Sequence, residues 1–189
     1  MKKKLSLLQK IEQAGLCGRG GSAYLTAKKW QVTKEFLKKK NFGQIKFIDD
    51  AYISYEYLRS LTLELMPKII VIDQGDKLHF VGDKNFEGHA RLKELYRKLR
   101  ELAKETKAAI ITVGQASAEA EGKKWLTMDM MDNSKVGKPG EMDWIIGIGK
   151  TDKDDEQNLR FLNIAKNKLK GHHGKHSVVF DGEKARYLD

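Results

Sequence analysis

The sequence has one cysteine, only two prolines and no long apolar run. With Cys17 as its single thiol, the chain can form neither an internal disulfide framework nor a multi-cysteine zinc site, which is typical of a reducing compartment. No apolar run approaches the ~20 residues that a membrane span requires. No apolar stretch of a secretory signal follows the lysine-rich start. These absences exclude a disulfide-stapled domain and predict a chain without a membrane partner.

The positive charge is concentrated at the amino terminus. The 189 residues carry a formal net charge of +10. Residues 1–40 hold eleven basic and two acidic residues, whereas the remainder holds 25 basic and 24 acidic. A basic arm on a near-neutral body favours nucleic acid as a partner, and the alternative is a solvated helix face. We predict a basic helical arm over residues 1–43 and a second domain over 44–189.

From residue 44 the sequence alternates strand-like and helix-like segments. Residues 44–48 and the apolar run 69–72 predict strands, and so does 109–113. Helical spacing of apolar residues predicts helices that follow Ser54 and that span about 92–103. Strands that alternate with helices in this way predict an α/β fold with a parallel sheet. The continuous apolar runs further predict strands buried on both faces.

The carboxy-terminal third predicts further strands after a long polar loop. The loop covers about residues 116–142, which is too long for a simple connection. Strand-like runs follow at 144–148, 159–165 and 177–180. A turn at Asp181 and Gly182 then leads into residues 185–188, which predicts a terminal antiparallel hairpin.

Polar side chains follow two of the predicted buried strands. Asp73 comes directly after Ile69–Ile72, and Gln115 lies just beyond the next strand. Ligands of open α/β sheets bind at the carboxyl ends of the strands. A carboxylate there suits Mg²⁺ on a nucleotide phosphate, either directly or through water. An amide there can contact a γ-phosphate, although both residues are also common as plain strand ends.

Lysines mark two further candidate sites. The 116–142 loop is basic and carries Trp125, which suits the phosphates of a single strand and one base. Its alternative is a surface loop without function. Lys166 and Lys168 end a predicted strand with i, i+2 spacing, so both side chains point the same way. They suit a phosphate across a subunit boundary, or alternatively form a solvated basic edge.

Two metal sites are alternatives to a nucleotide site. His172, His173 and His176 place three imidazoles within five residues, which suits zinc, but no carboxylate or thiol with ligand spacing accompanies them. Asp49 and Asp50 together with Asp73 suit a two-metal nuclease, but no further carboxylate arrangement supports this.

Taken together, five segments resemble the RecA-like motor domain of DnaB-family replicative DNA helicases, and most closely the primase–helicases of short-tailed bacteriophages. The resemblance covers about residues 44–189 and rests on the order and spacing of the segments. They are FIDDAYISYEYLRSL (47–61), IIVIDQGDKL (69–78), RLKELYRKLRELAKETKAAIITVGQAS (91–117), MDNSKVGKPGEMDWIIGIGK (131–150) and NIAKNKLKGHHGKHSVVFD (163–181).

The resemblance assigns roles to individual residues. It implies that Asp73 is the Walker B aspartate that associates with Mg²⁺, and that Gln115 is the γ-phosphate sensor. It implies a trans-acting finger pair at Lys166 and Lys168, where many family members have arginine at the second position. It also implies a DNA-contacting loop, whose candidate residues are Lys123, Lys124, Ser134, Lys135 and Lys138.

The resemblance also implies a setting for the chain. It implies Mg²⁺ with ATP or dTTP as cofactors, single-stranded DNA as a partner and a homo-oligomeric ring, as a hexamer in the intact helicase. It further implies a phage-encoded protein in the cytoplasm of a bacterial host. The expected fold is a RecA-like, mostly parallel sheet flanked by helices.

One family motif has no match in this sequence. No G-x-x-x-x-G-K-[ST] occurs, and the glycine run at residues 18–21 lacks the lysine and hydroxyl of a phosphate cradle. We therefore expect the amino-terminal part of the motor core to be missing here and encoded upstream. One hypothesis is a helicase motor component that acts with this P-loop segment. The alternative is a non-catalytic DNA-binding or assembly module derived from the same fold.

Overall fold

A computed structural model describes residues 45–48, 52–131, 137–169, 171–184 and 186–188 of the chain. The predicted arm at residues 1–43 lies outside this description. The helices and strands are, in chain order, α1 (Tyr55–Leu65), β1 (Ile69–Ile72), α2 (Gly88–Thr106), β2 (Ala109–Thr112), α3 (Gly137–Glu141), β3 (Trp144–Gly149), α4 (Asp152–Glu156), β4 (Leu159–Asn167), β5 (Lys175–Asp181) and β6 (Arg186–Leu188).

The chain divides into two compact units. One unit runs from residue 50 to residue 179, and it contains every predicted site residue that the structure describes. The other unit comprises residues 1–49 and 180–188, of which the structure describes 45–48, 180–184 and 186–188. In this second unit the rings of Phe180 and Tyr187 pack with their centroids 5.3 Å apart.

Helix α1 begins and ends where the sequence predicts. The Ser54 hydroxyl accepts a hydrogen bond from the backbone N–H of Tyr57, which satisfies one of the unpaired donors of the first turn. At the other end Met66 adopts a left-handed conformation, and Pro67 follows. Because Leu58 and Thr62 are one turn apart on one face, both are buried.

Helix α2 supplies most of the apolar core. Its 19 residues place leucines three or four positions apart on one face, and Leu95 and Leu102 are fully buried. Burial of this stripe holds the helix against α1 and the first sheet. The buried cluster comprises Tyr55, Leu58, Leu78, Phe80, Leu92, Leu95, Leu99 and Leu102.

Strands β1 and β2 form the predicted parallel pair, with Ile69 opposite Ala109 and Ile72 opposite Thr112. One part of the prediction is wrong, because the strands are not buried on both faces. The inward-facing Ile70 and Ile72 pack against the core, whereas Ile69 is 60% exposed and Val71 is 70% exposed. Within the described residues, the helices cover only one side of this sheet.

The remaining strands form a separate antiparallel sheet in the order β3-β4-β5-β6. It includes the predicted terminal hairpin of β5 and β6. The expected mostly parallel sheet is therefore not formed by the described residues, where parallel pairing is confined to β1 and β2. The predicted strand at 44–48 is also wrong as far as it is described. Residues 45–48 have no regular structure there, because no ladder partner is paired with them.

The segment 116–142 is more ordered than the sequence predicts for its described residues. A bridge joins Ala116 to Met131, and single 3₁₀ turns occur at Ala118–Ala120 and Met128–Met130. Helix α3 then precedes β3. Among the described residues, none of the helices combines the length and the apolar character that a bilayer-spanning helix needs.

Candidate functional site

Asp73 and Gln115 lie at the same edge of the parallel pair. Asp73 directly follows β1, and Gln115 lies three residues beyond the end of β2. Both residues are exposed. Because neighbouring parallel strands end at one edge, their side chains face the space where an open α/β sheet binds ligands. The structure thus brings these two predicted site residues together, and their roles stay predictions.

The loop that follows β1 is held firmly in place. Gln74 adopts a left-handed conformation at φ 61°, and the N–H of Gly75 donates a 3.0 Å hydrogen bond to the Thr112 hydroxyl of β2. A Cβ at position 75 would lie 2.5 Å from that hydroxyl oxygen, so only glycine fits there. The chain therefore leaves Asp73 on a loop anchored to the neighbouring strand.

Lys138 does not lie at the surface, although the sequence analysis places it among the DNA contacts. Its side chain is 0% exposed, and its ammonium forms a 2.6 Å ion pair with the Asp76 carboxylate. The hydroxyl of Tyr96 donates a 2.6 Å hydrogen bond to the other carboxylate oxygen. Burial, and next the hydrogen bond to Asp76, raise the pKa of Tyr96. This buried position prevents a direct contact between Lys138 and a DNA phosphate in the observed conformation.

Lys166 and Lys168 both reach the end of α3. Lys166 donates a hydrogen bond to the carbonyl of Pro139, and Lys168 donates one of 3.2 Å to the carbonyl of Gly140. Burial lowers the pKa of Lys166, and the neighbouring Lys168 ammonium lowers it further. The two lysines act on adjacent carbonyls, which agrees with the same-side orientation that the i, i+2 spacing predicts.

The segment around Lys123 and Lys124 is docked on the antiparallel sheet. Lys123 is exposed, whereas Lys124 pairs with Asp154 at 3.1 Å and lies over the Phe161 ring, 4.7 Å from its centroid. Trp125 packs edge-on against Phe161, with ring centroids 5.0 Å apart. Trp125 therefore already has an aromatic partner within the protein.

Two glycines of β3 permit this docking, and sequence reasoning missed them. A Cβ on Gly149 would clash with the carbonyl oxygens of Lys123 and Lys124, and one on Gly147 would lie 2.7 Å from the Leu126 carbonyl oxygen. The side chain of Asn163 donates a 2.7 Å hydrogen bond to that same Leu126 carbonyl. The available signal was glycine at alternate positions of a strand, which marks a close backbone approach.

Other predicted residues lie outside the described part or form no metal site. Ser134 and Lys135 are outside it, and so are Asp49 and Asp50 of the alternative nuclease site. Within the described ranges no group of three histidine, cysteine or acidic side chains is arranged to hold a metal. The histidine cluster at 172–176, which is described, is therefore not assembled as a zinc site.

The comparisons with known proteins support the fold. No family model and no curated protein matches the chain. Among solved structures, the ATPase domain of a DnaB-like helicase superposes with a TM-score of 0.70 at 21% sequence identity. The match covers 85% of this chain but only 60% of that domain. The chain thus has an α/β fold similar to that of an ATPase domain and spans about three fifths of its length.

Proposed function

We propose that this chain is part of an NTP-dependent replicative DNA helicase of the DnaB type. It supplies the Walker B carboxylate, the sensor, the DNA-contacting segment and the finger lysines of a ring-shaped motor. The observation that carries the proposal is the exposed pair Asp73 and Gln115 at one edge of a parallel sheet. Similarity to the ATPase domain of a DnaB-like helicase supports it.

The chemistry of phosphoryl transfer fits these groups. Asp73 would associate with a Mg²⁺ ion bound to ATP or dTTP, because Mg²⁺ favours carboxylate and water ligands. Gln115 would contact the γ-phosphate or the attacking water. The cations Lys166 and Lys168 would stabilise the charge that develops on the transferred phosphoryl group of a neighbouring subunit.

The proposed motor also needs a P-loop that this sequence does not contain. Backbone N–H groups and a lysine of such a loop would hold the β- and γ-phosphates. We propose that a P-loop-bearing segment packs on the open face of β1 and β2, where Ile69, Val71, Ile111 and Val113 are 51–70% exposed. Parallel sheets in proteins are normally covered on both faces, so this apolar face favours a covering layer.

A complementation assay tests this function. The chain is co-expressed with a candidate P-loop segment, and ATP and dTTP hydrolysis is measured with and without single-stranded DNA. We expect DNA-stimulated turnover that Asp73→Ala abolishes, and that Asp152→Ala, a change of another exposed carboxylate, leaves intact. Equal activity of the two variants would show that Asp73 has no role at the metal.

A second candidate function is a non-catalytic single-stranded-DNA-binding or assembly module. The absence of a P-loop motif from the sequence favours it. The basic residues, including exposed Lys123, would then bind backbone phosphates without hydrolysis. Single-strand binding by the chain, together with failure of every P-loop segment to restore turnover, would favour this function.

A further inference from the structure

Helix α3 is a short segment that cannot be stable by itself. It has five residues, of which two are glycine and one is proline. Isolated helices of that length are unstable in water, and glycine and proline are the poorest helix formers. The position of α3 is therefore decided by the side chains that hold it.

One side of α3 is held by the loop that carries Asp73. The buried ammonium of Lys138 needs a partner, because an unpaired charge inside a protein is strongly destabilising. Asp76 provides that partner at 2.6 Å, and the Tyr96 ring lies 5.7 Å from the same ammonium. Asp76 is three residues from Asp73, so α3 is tied directly to the loop at the end of β1.

This anchor point is itself fixed. The backbone carbonyl of Asp76 accepts a 3.2 Å hydrogen bond from Arg91 of α2, and its carboxylate accepts one from Tyr96 of the same helix. Gly75 is bound to Thr112 of β2. A displacement of the loop would therefore be passed to Lys138 instead of being absorbed by slack.

The other end of α3 is held by different groups. Its last carbonyls accept hydrogen bonds from Lys166 and Lys168 of β4. Arg100 of α2 lies 3.7 Å from Glu141 and 3.2 Å from Asp143. Helix α3 therefore connects the loop of Asp73 on one side with the two β4 lysines on the other.

We infer that the Asp76–Lys138 ion pair is a positioning device that couples the Asp73 loop to Lys166 and Lys168 through α3. The inference rests on the proposed function for its meaning, since it would link a subunit's own nucleotide to the lysines offered to its neighbour. Asp76 and Lys138 touch neither nucleotide. They set where the carbonyls of Pro139 and Gly140 lie, and these carbonyls set where the lysine ammonium groups rest.

The test uses the isolated chain without nucleotide or DNA. Hydrogen exchange is measured for amides of α3, of residues 166–169 and of α1 as an internal reference. Lys138→Met removes the charge and keeps the length of the side chain. Lys150→Met is the matched control, because Lys150 also pairs with a carboxylate at 2.6 Å but is half exposed.

We expect Lys138→Met to lower protection by roughly tenfold or more in α3 and also in residues 166–169, as loss of a charge-assisted contact implies. Lys150→Met and the α1 amides should show no such change. The ¹⁵Nζ signals of Lys166 and Lys168 should move towards those of exposed lysines, which a purely local role of Lys138 would not cause.

If Lys138→Met does not fold, Asp76→Asn is measured instead, because it keeps an acceptor for Tyr96 and removes only the charge. Loss of protection confined to α3, with unchanged exchange and Nζ signals at 166–169, would overturn the inference. Because no hydrolysis is measured, failure of the proposed function would appear separately in the complementation assay.

Discussion

The open face of the parallel pair gives a prediction that the structure makes quantitative. Val71 and Ile70 are neighbours on β1 but point to opposite sides of the sheet. Val71 is 70% exposed, whereas Ile70 packs against the apolar core. We consider the substitutions Val71→Thr and Ile70→Thr, which both introduce a β-branched residue that suits a strand.

The expected costs differ because the environments differ. In the isolated chain Val71→Thr should change the free energy of unfolding by no more than about 0.5 kcal/mol, as surface substitutions do. Ile70→Thr should cost about 1–3 kcal/mol, since it removes apolar contact and puts a hydroxyl against the core. Covering Val71 with a P-loop segment would gain about 1–2 kcal/mol, which is roughly 5–30-fold in Kd.

Two assays check these values. Urea unfolding of the isolated variants measures the stabilities, and titration with a P-loop segment measures the Kd. Val71→Thr should weaken the complex while leaving the isolated chain unchanged, and Val71→Asp should prevent the complex. If Val71→Thr destabilises the isolated chain as much as Ile70→Thr does, this face is already covered within the chain and the reasoning is refuted.

Four further outcomes are expected. The purified chain alone should hydrolyse neither ATP nor dTTP, and steady turnover that Asp73→Ala abolishes would contradict this. Single-strand affinity should fall with salt by a log–log slope of about −0.7 per phosphate neutralised, and alanine at Lys123 and Lys124 should flatten it if the segment binds DNA. In a complemented ring, Lys168→Ala should depress turnover with nucleotide binding largely retained, Lys168→Arg should preserve or raise it, and mixed Lys168→Ala and Asp73→Ala subunits should regain activity; no recovery in exchanging rings counts against a finger role. Gly149→Ala should lower stability by about 1–3 kcal/mol in thermal unfolding, because its Cβ meets backbone oxygens.

Local signals in the sequence were sufficient for the elements near the site. The Ser54 cap and Pro67 set the limits of α1, and leucine spacing indicated α2, because capping and helical periodicity act over a few residues. The apolar run Ile69–Ile72 and the following Asp73 located the strand end. Because parallel strands end at a common edge, the sequence also indicated that Asp73 and Gln115 would lie there.

Pairing between distant segments depended on the tertiary structure. Nothing in the sequence near Lys138 indicates that its ammonium would be buried against Asp76, 62 residues earlier in the chain. Its local pattern, a lysine between glycine and proline, is that of an exposed loop. Burial of a charge depends on a partner brought from elsewhere, and no short-range pattern encodes that partner.

The exposure of the sheet was likewise decided only in three dimensions. A run of four β-branched residues is compatible with a strand covered on two faces, and β1 has that run. Whether a second layer is present depends on which other segments pack on the strand, and within the described residues only α1 and α2 do so. Apolar character determined by the sequence thus set what β1 can bury, whereas the packing of distant helices decided that Ile69 and Val71 stay exposed.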